Sequence, residues 1–152
     1  MPESNVFTAA GSVISIGDAA PASYDKAGFE AVTFTAVGEV TNIPEFGRLY
    51  SGVTHVGLAE RGTVKRKGSF NDGSLTVQYA VDESDAGQSA LEALIDSDLD
   101  QAVRIVLQSG KHIYFTTQIM SNPITIGTVN DIVSKSMMLE VVGQVLFEDA
   151  PV

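Results

Sequence analysis

Residues 70–98 read FNDGSLTVQYAVDESDAGQSALEALIDSD, and this stretch decides the fold. Asp72-Gly73 is a two-residue turn signal, because a type I′ turn needs positive φ at its central positions. It predicts a hairpin joining a strand over Thr63 to Phe70 to one over Leu75 to Val81. In the second strand Leu75, Val77, Tyr79 and Val81 alternate with Ser74, Thr76, Gln78 and Ala80, which sends one apolar face to a core. Asp82-Glu83-Ser84-Asp85 stops the strand. Ser84 is the expected helix cap, with Asp85 against the positive end of the dipole. Gly87, Leu91, Leu94 and Ile95 then follow at helical spacing, giving one apolar stripe.

Strand patterns extend on both sides of this helix. Val13 to Ile16 is a short strand, and Gly17 to Gly28, with Pro21, reads as a loop. Val32, Phe34 and Ala36 alternate with Thr33, Thr35 and Val37 in a run from Ala31 to Ile43, where Gly38 predicts a bulge or close backbone approach. Pro44 to Gly62 is glycine-rich and irregular, with a short strand at Val53 to Leu58. Ala102 to Leu107 and His112 to Gln118 form a hairpin about Ser109-Gly110. Met120 to Asn130 reads as a strand kinked by Pro123 and Gly127. The final strand, Ser136 to Phe147, is apolar on both faces, so it calls for a cover on each. The sequence predicts a mainly β fold with two packed antiparallel sheets, a sandwich or half-barrel, and one flanking α-helix. All 152 residues are assigned to one domain, with an arm over 1–11 and a tail over 148–152.

Composition narrows the function. Nineteen acidic against nine basic residues give a net charge of −10, which repels nucleic acid at long range. No apolar run approaches the ~18 residues of a membrane span. The N-terminus lacks a basic segment followed by an apolar one, so no secretory signal is expected. Cysteine is absent, which removes disulfides and thiolate metal sites and fits a reducing compartment.

Catalytic constellations are wanting. His55 and His112 fall in different hairpins without metal-ligand spacing. Asp96, Asp98 and Asp100 start like a calcium loop, but Gln101 stands where the turn glycine belongs and Leu107 where the bidentate glutamate belongs. Ser109-Gly110-Lys111-His112 lacks both the first glycine and the Ser/Thr of a P-loop. No enzyme, cofactor or metal is expected. The sharper signal is Arg61-Gly62-Thr63-Val64-Lys65-Arg66-Lys67, which holds four of the nine basic residues. As a solvated strand end it would contribute little. As an interface it would meet an acidic patch of a neighbouring copy, so Arg61, Lys65, Arg66, Lys67, Asp96, Asp98 and Asp100 are the candidate inter-subunit contacts.

Several segments together resemble the major tail tube proteins of phages with long non-contractile tails. These are Tyr79 to Asp82, Asp85-Ala86-Gly87-Gln88 with Leu91, the helix, and the hairpin from Val103 to Phe115. The likeness spans about residues 30–148 in element order. It implies hexameric rings that stack into a hollow conduit for DNA, which passes without specific binding. Residues 44–67 would form a long interaction loop that, with the 1–11 arm, touches the next ring. Tape measure, terminator and baseplate proteins are the implied further partners, and the virion tail, assembled in host cytoplasm, the implied location. Inner-tube proteins of contractile injection and type VI secretion systems are near relatives of that family. A different reading is a small-ligand-binding β-barrel lined by Phe34, Tyr79, Phe115 and Met138.

Overall fold

The computed structural model describes residues 4–149; the ends of the expected arm and tail, 1–3 and 150–152, lie outside them. The chain is mainly β. Its larger sheet contains β1 (Val13–Gly17), β2 (Phe34–Ala36), β3 (Val40–Asn42), β6 (Ser74–Ala80), β7 (Gln101–Val106), β8 (His112–Ser121) and β10 (Ser134–Glu148) in the order β2-β1-β7-β8-β10-β6-β3. A short β9 (Ile124–Thr125) adds to β10. β4 (Leu49–Val56) and β5 (Thr63–Asn71) make a second, two-stranded sheet.

The strand order forces curvature. β2 and β3 lie at opposite ends of the sheet, yet Ala36 and Val40 are four residues apart, a reach of at most ~14 Å. The sheet therefore curls into a half-barrel whose edges meet at Val37 to Glu39. There the Val37 amide donates to the Ile14 carbonyl of β1, and the Ala80 amide of β6 donates to the Glu39 carbonyl, each at 2.9 Å. Where the sequence suggests one continuous run, the chain passes from one sheet edge to the other.

Helix α2 (Ala86–Ala93) closes this seam. Its cap is Asp85 rather than the expected Ser84, because the Ser84 hydroxyl is drawn to the Asp82 carboxylate at 2.6 Å. Asp85 accepts from the Gln88 amide at 2.9 Å and from the Gly38 amide at 3.0 Å, so one carboxylate caps the helix and holds the seam. Buried Gln88 donates to the Gly38 and Ala80 carbonyls and accepts from the Asp82 amide. Gly87 permits the approach: a Cβ there would lie 2.1 Å from the Ala36 carbonyl oxygen.

The interior is filled by Ile14, Ile16, Leu75, Val77, Tyr79, Leu91, Val103, Ile105, Phe115, Met137 and Leu139. The predicted alternation of the Leu75 to Tyr79 strand is observed. A second helix, α1 (Lys26–Glu30), lies within and just beyond the segment read as a loop. It is only five residues long, too short to leave a periodic signature. Capped by Asp25 through the Gly28 amide at 2.8 Å, it buries Phe29 against Tyr114 on the outer face of the sheet.

Candidate assembly interface

The expected hairpin at Asp72-Gly73 does not form. β5 pairs with β4, whereas β6 pairs with β10 and β3. A turn is present, with Gly73 at φ +77° and its amide bonded to the Asn71 side chain at 2.8 Å, but it is a corner between two sheets. The reason is the Asp72 side chain. It is buried, accepts from the Val145 amide of β10 at 2.6 Å, and faces the Arg48 guanidinium at 3.5 Å.

Arg48 completes the root. It donates to the Gln144 side chain at 2.8 Å and stacks over the Phe70 ring at 4.0 Å. Val145 and Gln144 belong to an irregular stretch of β10 between Val142 and Leu146, where four steps on β10 match two on β8. The Tyr24 hydroxyl also binds this stretch: it accepts from the Gln144 amide at 3.2 Å and donates to the Gln144 carbonyl. The root of the second sheet is thus tied to β10, an interior strand of the first.

Beyond the root, the segment read as an irregular loop is an ordered ribbon. β4 starts at Leu49, earlier than the expected Val53, and every β4 residue is exposed; in β5 only Gly68 is less than exposed. Leu49, Tyr50, Val53, Val56, Leu58, Val64 and Phe70 are all presented to solvent, with Leu58 at the tip fully so. A lone two-stranded ribbon is marginal in water. Residues 48–71 carry five basic residues and one acidic one, a net +4, against four basic and eighteen acidic elsewhere, a net −14.

Arg61, Lys65, Arg66 and Lys67 all lie exposed on this ribbon. Lys67 sits over the Tyr50 ring at 4.8 Å. Asp96 and Asp98 are exposed in the turn before β7, and half-buried Asp100 accepts from the Gln118 amide group at 2.7 Å. The structure does not bring the two groups together within one chain. Ion pairs among the described residues are Lys26–Glu30, Arg48–Asp72 and Lys135–Glu92.

His55 is exposed on the ribbon opposite Val64. His112 is buried, with Nδ1 2.8 Å from the Tyr114 hydroxyl, and burial pushes its pKa down. No group of three His, Asp or Glu side chains able to hold a metal occurs among the described residues. Nor does any helix among them have the length and apolarity to cross a membrane. The four residues proposed to line a ligand cavity do not share one. Tyr79 and Phe115 are packed in the interior, whereas Phe34 packs outside with Tyr114. The gap among Ile14, Ile16, Val37, Leu91 and Met137 is too small for a water molecule.

The chain resembles solved structures over nearly its whole length. One is the sheath/tube terminator of an extracellular contractile injection system in the extended state, with a TM-score of 0.70 and 12% identity, over 95% of this chain and 98% of that one. A second is the SPP1 tail tube, with a TM-score of 0.63 and 17% identity, over 91% of this chain and 76% of that one. The fold is the tail-tube fold. The tail of an empty GTA particle, refined with C6 symmetry, shares it at a TM-score of 0.62 and 14% identity, over 89% of this chain and 93% of that one. No family model and no curated protein matches the sequence. The tail-tube fold is therefore carried by the pattern of strands and the seam helix rather than by residue identity.

Proposed function

We propose that this protein is a structural tube subunit that assembles into hexameric rings, which stack into a hollow conduit for DNA, and that it performs no catalysis. The observation that carries the reading is the β4–β5 ribbon. Seven large apolar side chains and four cations stand in solvent on an element that one chain leaves uncovered. The tail-tube fold and the C6 symmetry of the GTA tail support the same reading. The basic segment, Arg61 with Lys65 to Lys67, meets carboxylates of a neighbouring copy; Asp96, Asp98 and Asp100 are the candidates named from sequence. The open outer face of β6, β10 and β8 suits a wall along which DNA slides. Thr76, Gln78, Ser136, Met138, Glu140 and Gln118 lie on that face, with a single charge and no Lys or Arg. Terminator, tape measure and baseplate proteins are the partners of such a tube, and a virion tail or related particle is its location.

Sedimentation velocity and negative-stain images of the purified full chain test this. Rings or tubes that grow with concentration are expected. A chain that stays monomeric at high concentration, and gains thermal stability from a small apolar ligand, would favour the ligand-barrel reading instead.

A further inference from the structure

The Pro123–Val133 segment is a second uncovered apolar surface among the described residues. All eleven residues but Val133 are exposed, among them Ile124, Ile126, Val129 and Ile132. It is nonetheless ordered. The Asp131 carboxylate accepts from the Thr128 amide at 2.7 Å and hydroxyl at 2.9 Å, and the Asp131 amide donates to the Thr128 carbonyl at 3.0 Å. An apolar loop fixed in this way loses little freedom when covered.

Its border is acidic. The Val81 amide donates to the Val133 carbonyl at 3.0 Å, which sets Asp82 and Glu83 beside the loop. Glu92 of α2 reaches the same place through Lys135, the one cation there, which it already neutralises. The loop thus combines exposed aliphatics with carboxylates, and the ribbon combines exposed aliphatics with cations.

Topology separates the two surfaces. The ribbon is rooted at the Ser74 end of β6, while the loop leaves the Ala80 end, where Ala80 pairs with Ser134. Seven residues of strand put about 20 Å between them. Donor and acceptor at opposite ends of one chain make a head-to-tail contact, which propagates when copies are laid end to end. The Asp96–Asp100 turn lies at the wrong end for this. Gln101 pairs with Thr117, Thr117 with Val141, and the Val141 amide donates to the Gly73 carbonyl, so that turn is level with the ribbon's own root. Leu99 is also the one large aliphatic exposed within it.

We infer that the β4–β5 ribbon of one copy docks on the Pro123–Val133 loop of a second copy, its cations against the Asp82, Glu83 and Glu92 border. The inference rests on the self-assembly reading and names the surface that assembly uses.

The test compares full-length chains by sedimentation velocity and negative stain, with circular dichroism as the control for folding. Val129→Asp with Ile132→Asp, both at exposed positions, is expected to raise the concentration needed for assembly by about tenfold or more. Reversing Lys65, Arg66 and Lys67 to Glu is expected to do the same, and adding Glu83→Lys and Glu92→Lys to that chain to restore assembly. Two results overturn the docking while leaving self-assembly intact. One is loop variants that assemble like the wild type; the other is rescue of the reversed ribbon by Asp96→Lys with Asp98→Lys instead. A wild-type chain that never assembles overturns the tube reading itself.

Discussion

The Asp72 carboxylate accepts from the Val145 amide at 2.6 Å, and this bond fastens the projecting ribbon to the interior strand β10. Asp72 is buried, so Asp72→Ala leaves the Val145 amide without its partner. The expected loss is about 1–3 kcal/mol. Asp72→Asn keeps an acceptor and gives up only the ion pair with half-exposed Arg48, so its loss is expected to be smaller. Urea unfolding of the two variants against the wild type checks the order.

Gln88 serves three backbone groups at the seam, the Gly38 and Ala80 carbonyls and the Asp82 amide. Gln88→Leu fills similar space and satisfies none of them. A loss of at least about 2 kcal/mol is expected, since each buried group left unpaired costs about 1–3 kcal/mol. Gly87→Ala is expected to be as damaging, because the clash is with backbone that cannot turn away. Amide hydrogen exchange at Val37 and Ala80 reads the seam directly, and faster exchange in both variants is the expected result.

Removing the ribbon is a cleaner cut than its length suggests. Leu49 and Asn71 are paired at its root and no β5–β6 ladder exists, so residues 49–71 can be replaced by a short Asn-Gly turn. The shortened chain is expected to melt as a cooperative domain and to remain monomeric at concentrations where the full chain assembles. Thermal melts with sedimentation check both halves.

Acid should act in two stages. His112 lies among Tyr114, Arg104 of β7, Lys26 and Glu30 of α1, and Glu148 of β10. Burial first, then the Arg104 charge, holds its pKa below the usual 6.5, with Glu30 pulling the other way. The unfolded chain takes up that proton first. Stability from this site is therefore whole above about pH 6.5 and declines as pH falls toward the folded value. Asp25, Asp82 and Asp131 are held below 3.8 by hydrogen bonds to Gly28 and Ser23, to Ser84, and to Thr128. Their contribution is present above 3.8 and is lost as pH falls through the folded values. The urea midpoint measured against pH should fall in both windows, and His112→Gln should flatten only the first.

Local rules carried far here. The alternation of Leu75, Val77 and Tyr79, the Gly87–Leu91 stripe, and the Ser109-Gly110 turn each depend on neighbours within a few residues, and each is where the sequence puts it. A mainly β fold with one flanking helix was legible on that basis; that the helix closes a seam between the sheet edges was not. Other features depend on partners far along the chain. Ser84 lost the cap to Asp85 because Asp82 took its hydroxyl. The run from Ala31 to Ile43 split because its two halves pair with β1 and β6 at opposite sheet edges. Asp72-Gly73 became a corner because Val145, seventy-three residues later, claims the Asp72 carboxylate.

The candidate interface divides in the same way. The cations of 61–67 and the excess of carboxylates were legible in the sequence alone, because charge and residue type need no coordinates. Only the folded chain decided that those cations stand on an exposed ribbon and that an acidic, apolar loop leaves the opposite end of β6. Which surfaces one chain leaves uncovered depends on strand pairing between distant segments, and no local pattern records it.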